Sequence, residues 1–329
     1  ILIAGVRTDD LEASYERAGC EIQEMVSLLK SGARAVFKPL RLETKLTPAH
    51  NEAEFSRMVE HAKHHIFEGN IFQVVLSNPL TAKATGNLFD VYRTLRVLNP
   101  SPYMFYFVSD DVEIAGASPE TLAKLEDGTL YTFPLAGTRP RGKTEDEDRQ
   151  LEKELLADEK EIAEHNMLVD LGRNDLGRVS EIGSVKVTRY MDILRYSHVM
   201  HIGSTVEGRI AQGKDALDAI DSVLPAGTLS GAPKLSACTI IQNEESRKRG
   251  IYGGAIGYLD LSGNMDTCIG IRLAYKKNDT LCIQSGAGLV ADSVPAREYQ
   301  ECINKAKAMV TAIEAAKGGV LFIDEAYSL

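Results

Sequence analysis

Residues 157–175 read ADEKEIAEHNMLVDLGRND, and the rest of the chain is organised around them. Leu155, Leu156, Ile162, Met167, Leu168 and Leu171 supply apolar positions near helical spacing, which predicts a helix running from Glu145 to Asp170. Glu161 and Glu164 lie three residues apart and project from one face of it. Most such pairs are simply solvated. The second half of the stretch favours function. Asp170 stands inside the apolar run 168–171, and Gly172-Arg173-Asn174-Asp175 reads as a corner after it. A buried acid beside a charged corner is costly in a plain core helix, and it points to an active-site wall that needs charge.

A second helix answers the first. Residues 297–305, REYQECINK, set Glu298 and Glu301 three apart, with Lys305 one turn beyond Glu301. Two helices that each present a glutamate pair inward can hold one hard divalent cation. Mg²⁺ takes oxygen ligands and keeps several waters, so one or two direct carboxylates suffice. Two ordinary amphipathic helices with i,i+4 charge pairs have the same spacing, and spacing leaves both readings open.

The chain has 329 residues, enough for one large domain or two small ones. A hydrophobic fraction of 44% and a charged fraction of 26% are those of an ordinary globule. The net charge of −10, with no basic cluster, argues against nucleic acid as a partner. No apolar run reaches membrane-spanning length. Cys20, Cys238, Cys268, Cys282 and Cys302 are scattered without CxxC spacing, and read as buried thiols in a reducing compartment. The chain opens at Ile1 without a methionine, so upstream sequence is expected. A cytoplasmic location is expected, with a plastid left open by the missing start.

Outward from the central stretch, Ile1 to Arg7 reads as the end of a strand and Asp10 to Lys30 as an amphipathic helix with Leu11, Tyr15, Leu28 and Leu29 on its apolar side. Thr47 and Pro48 read as N-cap and first residue of a helix to about Glu68, with His61, His64 and His65 on a solvent face. Ile71 to Ser77 reads as a buried strand in which Gln73 needs a hydrogen-bond partner. Leu88 to Leu98 is a short helix, and Tyr103 to Val108 a strand. Val112–Ala117 and Thr121–Leu125 read as a hairpin around Ser118-Pro119-Glu120. Leu130 to Leu135 is a strand running into a flexible turn, Ala136 to Gly142, whose two arginines suit an anion or an exposed basic loop equally. Ser197 to Ile202 alternates as a strand, with Val199 and His201 on one face and His198 and Met200 on the other. PAGTLSGAPK, Pro225 to Lys234, is a small-residue loop suited to wrap a carboxylate or phosphate, but it lacks the ending of a nucleotide P-loop. Residues 252–258, 265–275 and 281–290 alternate as three strands, with Gly286 and Gly288 marking a close approach in the last. Mixed elements without a βαβ rhythm predict an α+β fold of mostly antiparallel sheets packed with outer helices.

Eight motifs in order now carry a resemblance: PLAGTRPRG (Pro134–Gly142), the central stretch, YSHVMH (Tyr196–His201), PAGTLSGAPK, YGGAIGY (Tyr252–Tyr258), DTCIGIR (Asp266–Arg272), QSGAGLVADS (Gln284–Ser293) and ExxExxNKA (Glu298–Ala306). Together, over roughly Arg41 to Ala316, the chain resembles the chorismate-utilising enzymes, on their anthranilate-forming side. The resemblance implies a remnant of an N-terminal region over residues 1–40, a chorismate-binding catalytic domain over 41–316, and a foreign tail over 317–329. That tail, GGVLFIDEAYSL, looks like the Walker B strand of an AAA+ ATPase and, without a Walker A motif, reads as a fusion scar.

The resemblance also implies roles. Glu161, Glu164, Glu298 and Glu301 match the ligands of a Mg²⁺ that bridges to the ring carboxylate of chorismate. Glu120 matches the general acid for the departing hydroxyl, which needs a raised pKa. His201 matches the histidine of the later pyruvate elimination. Tyr252 and Arg272 match contacts to the enolpyruvyl carboxylate; Thr228, Ser285, Gly286, Gly288 and Lys305 match further substrate contacts. Gln73 stands where water-adding relatives carry lysine, and Ala136 where aminodeoxychorismate-forming relatives carry a lysine nucleophile. The implied reaction converts chorismate and ammonia to anthranilate and pyruvate, for tryptophan biosynthesis. The alternatives are an aminodeoxyisochorismate or aminodeoxychorismate synthase, which stops at the amino compound, and a truncated non-catalytic fragment of the fold. Ammonia implies a glutamine amidotransferase subunit as a separate chain. Asn99, Pro100, Tyr103 and Met104 match a segment through which tryptophan inhibits.

Overall fold

A computed structural model describes residues 1–34, 37–196 and 199–316. Ser197, His198 and the tail from 317 onward lie outside the described residues. The chain divides into two compact units, Ile1–Lys38 and everything from Pro39 onward.

The first unit is built on α1 (Leu11–Ser31), which ends at Gly32 in the left-handed conformation. Ile1 to Arg7 are not a strand; Arg7 instead exchanges hydrogen bonds with the Ser14 hydroxyl through its N–H and carbonyl. The expected apolar side of α1 is exposed at Leu11, Tyr15, Leu28 and Leu29, while Ser14 and Ala18 are buried.

The second unit opens with two short strands, β1 (Arg41–Leu42) and β2 (Thr47–Pro48). Thr47 and Pro48 do not start a helix; they pair with Thr81 and Leu80. The helix α2 (Glu52–Phe67) starts at Asn51, whose side chain accepts from the Glu54 N–H while Glu54 accepts from the Asn51 N–H. That reciprocal box satisfies two orphan donors, where a Thr-Pro start satisfies one at most. His61 and His64 are exposed on α2 and His65 is half-buried. Next come β3 (Gln73–Thr85), α3 (Phe89–Leu98), β4 (Tyr103–Val108) and β5 (Val112–Ser118). After them β6 (Thr121–Glu126), β7 (Thr129–Thr132) and β8 (Leu135–Pro140) lead into α4 (Glu145–Leu156) and α5 (Glu159–Gly177). Then follow β9 (Lys186–Arg195), β10 (Val199–Arg209), α6 (Ala216–Val223), β11 (Gly231–Ala232) and α7 (Lys234–Glu245). The unit closes with β12 (Ala255–Leu259), β13 (Met265–Ile269), β14 (Leu273–Lys277), β15 (Thr280–Leu289) and α8 (Pro295–Ala316).

These strands form two antiparallel sheets. One runs β1-β3-β15-β14-β5-β4, with β2 and β11 also paired to β3; the other runs β12-β13-β6-β7-β10-β8, with β9 on β10. The α+β expectation holds. The first sheet packs Leu80, Leu281 and Ile283 against Leu95 of α3 and Met309 and Ile313 of α8. The second packs Leu130, Val206 and Met265 against Val169 and Leu176 of α5 and Ala219 and Val223 of α6.

Four expectations give way at the boundaries between elements. Val112–Ala117 and Thr121–Leu125 are not a hairpin: β5 lies in one sheet and β6 in the other, and Ser118-Pro119-Glu120 crosses between them. Residues 265–275 are not one strand, because the chain crosses back at Gly270-Ile271-Arg272, with Arg272 at φ +48°. Alternation in sequence cannot register a change of sheet. The supposed flexible turn 136–142 is largely strand β8, paired to β10, and its arginines serve neighbouring acids. Arg139 bonds Asp158 at 2.8 Å and Arg141 bonds Asp148 at 2.8 Å. Finally, the single acidic helix is two. Asp158 breaks it and caps α5, accepting from the Lys160 and Glu161 N–H groups. Asp170 is exposed and paired with Arg173, whereas Asp175, inside the helix that was expected to have ended, is the buried acid.

Among the described residues no helix is long and apolar enough to cross a membrane. All five cysteines are free; Cys268, Cys282 and Cys302 are buried as expected, but Cys20 is exposed.

Candidate active site

The two crossings between sheets set the site. Ile269 N–H donates to the Glu120 carbonyl at 3.0 Å, Ala117 N–H to the Arg272 carbonyl at 3.1 Å, and the Ser118 hydroxyl to the Ile269 carbonyl at 2.7 Å. A cleft opens beside Glu120. Its walls are Leu168, Leu171 and Asp175 of α5, Phe133 at the break between β7 and β8, and Gly227 and Thr228 of the small-residue loop. Gly172 lies where the helix passes the sheet, since a Cβ there would stand 2.9 Å from Thr132 Cγ2.

Burial pushes the Glu120 carboxyl up to about 7, against the pull of Thr228, Arg272 and Lys305. Burial lowers Arg272 in turn, and Glu120 opposes that shift. An acid protonatable near neutrality, with two cations acting on it, can bind an anion and deliver a proton to it.

Behind this group Tyr252 is buried, and burial raises its phenol. A Cβ on Gly286 would stand 3.0 Å from its hydroxyl and 2.9 Å from the Leu76 carbonyl, so glycine is required there. Lys305 Nζ donates to the Gly286 carbonyl at 3.0 Å and pairs with Glu301 at 2.7 Å. The Ser285 hydroxyl is committed to the Cys302 carbonyl of α8 at 2.7 Å. Gly288 lies over the Gln73 amide, 2.9 Å from a would-be Cβ, and Gln73 Nε2 donates to Glu164 at 3.3 Å. Gln73 thus has the partner its place in a buried strand demands.

The four glutamates stand as two pairs. Burial and then Glu164 raise Glu161; burial raises Glu298, with Ser293 opposing and Glu301 adding. Among the described residues no group of three or more His, Cys, Asp or Glu is gathered to hold an ion. The pairs nevertheless fit a hard cation chemically. Glu161, Glu164 and Glu298 are half-buried carboxylates, and the raised pKa values of Glu161 and Glu298 mark charge that a cation would relieve. One or two of them with water complete a Mg²⁺ shell.

His201 on β10 bonds the Gly137 carbonyl at 2.9 Å and the Thr138 hydroxyl at 3.0 Å, both through Nδ1. A carbonyl can only accept, so Nδ1 carries a proton, and in the neutral ring Nε2 is the nitrogen that can accept one. Gly137 also adjoins Glu161, 3.4 Å from a would-be Cβ. Asn99, Pro100, Tyr103 and Met104 are not cleft residues. Asn99 closes α3 by donating to Leu95, and Pro100 is exposed. Tyr103 donates to Asp266 at 2.7 Å, and Met104 packs on the first core.

The model of the chorismate binding enzyme family matches residues 7–311. The chain belongs to that family. It is 56% identical to anthranilate synthase component 1 of Acetivibrio thermocellus over 274 residues, 83% of this chain and 56% of the relative. It is 48% identical to that of Aquifex aeolicus, over 93% of this chain and 63% of the relative. The chain therefore spans about six-tenths of the length of these curated relatives. Among solved structures, anthranilate synthase component I of Streptococcus pneumoniae superposes with a TM-score of 0.79 at 45% identity, over 89% of this chain and 66% of that one. The menaquinone-specific isochorismate synthase of Escherichia coli superposes with a TM-score of 0.78 at 25% identity, over 90% and 69%.

For this member of the family, sequence reasoning missed one cleft-side pair. Lys234 Nζ donates to both Asp175 oxygens at 2.7 Å and to the Val223 carbonyl at 3.0 Å. Burial pushes Asp175 up to about 6, against Lys234. The signal was a lone lysine closing a loop of small residues and a lone acid ending an apolar helix, 59 residues apart.

Proposed function

We propose that the cleft binds chorismate and, with ammonia, converts it to anthranilate and pyruvate. The observation that carries the reading is Glu120, poised near neutral pKa with Thr228 and the charges of Arg272 and Lys305 acting on it. Chorismate brings two carboxylates and a hydroxyl that must leave. Arg272 offers a bidentate fork to a carboxylate and Lys305 a point charge. Glu120 in its acid form protonates the departing C4 hydroxyl as ammonia attacks C2. His201 Nε2 accepts the proton removed when pyruvate is lost and the ring becomes aromatic. Gln73 holds an amide, which cannot deprotonate water, and Ala136 offers no nucleophile, so hydration and a lysine-bound route are both disfavoured. Glu161, Glu164, Glu298 and Glu301 would hold Mg²⁺, which supplies Lewis-acid withdrawal of electrons when bound. Ammonia would come from a glutamine amidotransferase subunit, and tryptophan would inhibit through the 99–104 segment. The 45–56% identity to proteins named anthranilate synthase component 1 supports this reading over isochorismate formation.

The test is incubation with chorismate, Mg²⁺ and an ammonium salt at mildly alkaline pH, following anthranilate fluorescence beside E301Q. Fluorescence that grows with the parent chain and is lost in E301Q is expected. An amino intermediate accumulating without anthranilate would overturn the second half-reaction. A second reading is a chain that binds chorismate without turning it over. Calorimetric binding with neither product would select it.

A further inference from the structure

Arg249 lies between α7 and Tyr252 and shares itself among three segments. Its Nε and Nη2 donate to the Glu245 carboxylate, Nη1 to the Leu229 carbonyl, and Nη2 also to the Val75 carbonyl at 2.7 Å. Glu245 is fully buried, and its Oε1 also accepts from the Ser77 N–H at 2.8 Å and the Ser77 hydroxyl at 2.9 Å. Gln284 in turn donates to the Ser77 hydroxyl at 2.7 Å. The guanidinium carbon stands 5.8 Å from the centre of the Tyr252 ring. Leu229 directly follows Thr228, and the next carbonyl, Ser230, accepts from the Val75 N–H at 2.9 Å.

We infer that the buried Arg249–Glu245 pair is a positioning device that fixes the Thr228 loop against β3 and Tyr252, and so sets the binding geometry of the cleft; this rests on the chorismate reading above. Arg249 and Glu245 are not among the residues that line the cleft, so neither is a catalytic residue. The pair acts on the loop through carbonyls that flank its contact residues. A planar fork can serve a carboxylate and two carbonyls at once, whereas an ammonium has no such geometry. A buried ion pair is weak evidence for stability, because apolar replacement of both partners is often neutral or better. What apolar replacements cannot reproduce is the pair of bonds to Leu229 and Val75. Those bonds hold the loop in register with the strand.

The test compares the full chain with R249K and with the apolar double variant E245M/R249M, which removes the ion pair without stranding a charge. Amide exchange is read by mass spectrometry for peptides covering residues 226–232 and for peptides covering β14 and β15, alongside chorismate affinity by calorimetry, KM and kcat. In both variants the loop is expected to exchange on the order of tenfold faster while β14 and β15 keep their protection. Chorismate Kd and KM are expected to rise about tenfold with kcat nearly unchanged, as for lost binding shared by ground and transition states. Unchanged loop exchange and unchanged affinity in folded variants would overturn the inference. So would exchange that rises equally in loop and core, which marks general destabilisation. If the parent chain binds no chorismate, the functional reading fails, and loop exchange still decides whether the pair positions the loop.

Discussion

Glu120 and Arg272 are held by backbone, each on one of the two crossings that join the sheets, and those crossings are hydrogen-bonded to one another: Ile269 to Glu120 at 3.0 Å and Ala117 to Arg272 at 3.1 Å. An acid and a cation are thus carried on adjoining main-chain segments whose spacing the backbone fixes. That is preorganisation built from topology, and it makes the pair the first target for substitution.

Glu120→Gln removes the proton donor and keeps the shape. Turnover of chorismate is expected to fall by ~10²–10⁴-fold, the range of a general acid, with little loss of substrate affinity. For the parent chain, kcat/KM measured at constant free ammonia should fall as pH rises through about 7, because the acid form of Glu120 is then lost. The same sign applies to stability. A carboxyl raised in the folded state contributes fully at low pH and loses its contribution as pH rises through the folded value. The melting temperature of the ligand-free parent should therefore decline from pH 5 to 8, and E120Q should flatten that decline. A profile identical in the two proteins would remove Glu120 from the role of acid.

Arg272 carries a second, separable effect. Its φ of +48° lies in the left-handed region, which costs a non-glycine residue about 1–2 kcal/mol. Arg272→Gly is expected to melt higher than Arg272→Ala, since glycine relieves the strain, although both lose the carboxylate fork. Arg272→Lys should keep the fold and raise KM, because a point charge replaces a bidentate contact. Equal melting temperatures for the glycine and alanine variants would show that the crossing is not strained.

The antiparallel α+β class was legible in period-two runs such as 103–108, and the glutamate pairs in their spacing of three. What was not legible were the changes of sheet at 118–120 and 270–272. A strand that continues into the other sheet shows the same alternation as one that turns back, because the side-chain pattern reports burial and not the identity of the neighbour. Thr47-Pro48 misled for a related reason: local capping preference lost to pairing with β3 and to the stronger box at Asn51. The roles of Asp175 and Lys234, and of Glu245 and Arg249, depend on contacts made only after folding. For the first pair, 59 residues separate the partners, and no sequence period connects them. Of the residues the family resemblance singled out, Glu120 and Thr228 line the cleft; the hydrogen bonds show which hydroxyls and amides are already spoken for, as Ser285 is by Cys302.

Gly231 tests the seat of the small-residue loop. Its φ is +140°, and a Cβ would stand 2.1 Å from the Gln73 carbonyl, in the β11–β3 pairing. Gly231→Ala must break that pairing, so a large fall in soluble yield and melting temperature is expected. Gly19→Ala is the control. That glycine lies within α1 with nothing within 4 Å of a Cβ, and the change should be neutral or stabilise its helix by ~0.5–1 kcal/mol. A Gly231→Ala protein as stable as the parent would show that the loop is not locked to the strand.

The last prediction concerns the glutamate pairs. Glu161 and Glu298 are raised by burial and by their neighbours. Without a cation, their contribution to stability is therefore lost as pH rises through the carboxylate range. A divalent cation binds the deprotonated forms and releases protons, so its stabilisation must grow with pH. Millimolar Mg²⁺ is expected to raise the melting temperature more at pH 8 than at pH 5, and chelation by EDTA should reverse the gain. Glu164→Gln and Glu301→Gln should each weaken the Mg²⁺ effect, whereas Glu145→Gln, on the exposed start of α4, should leave it intact. A Mg²⁺ gain equal in all three variants would place the ion elsewhere on the surface.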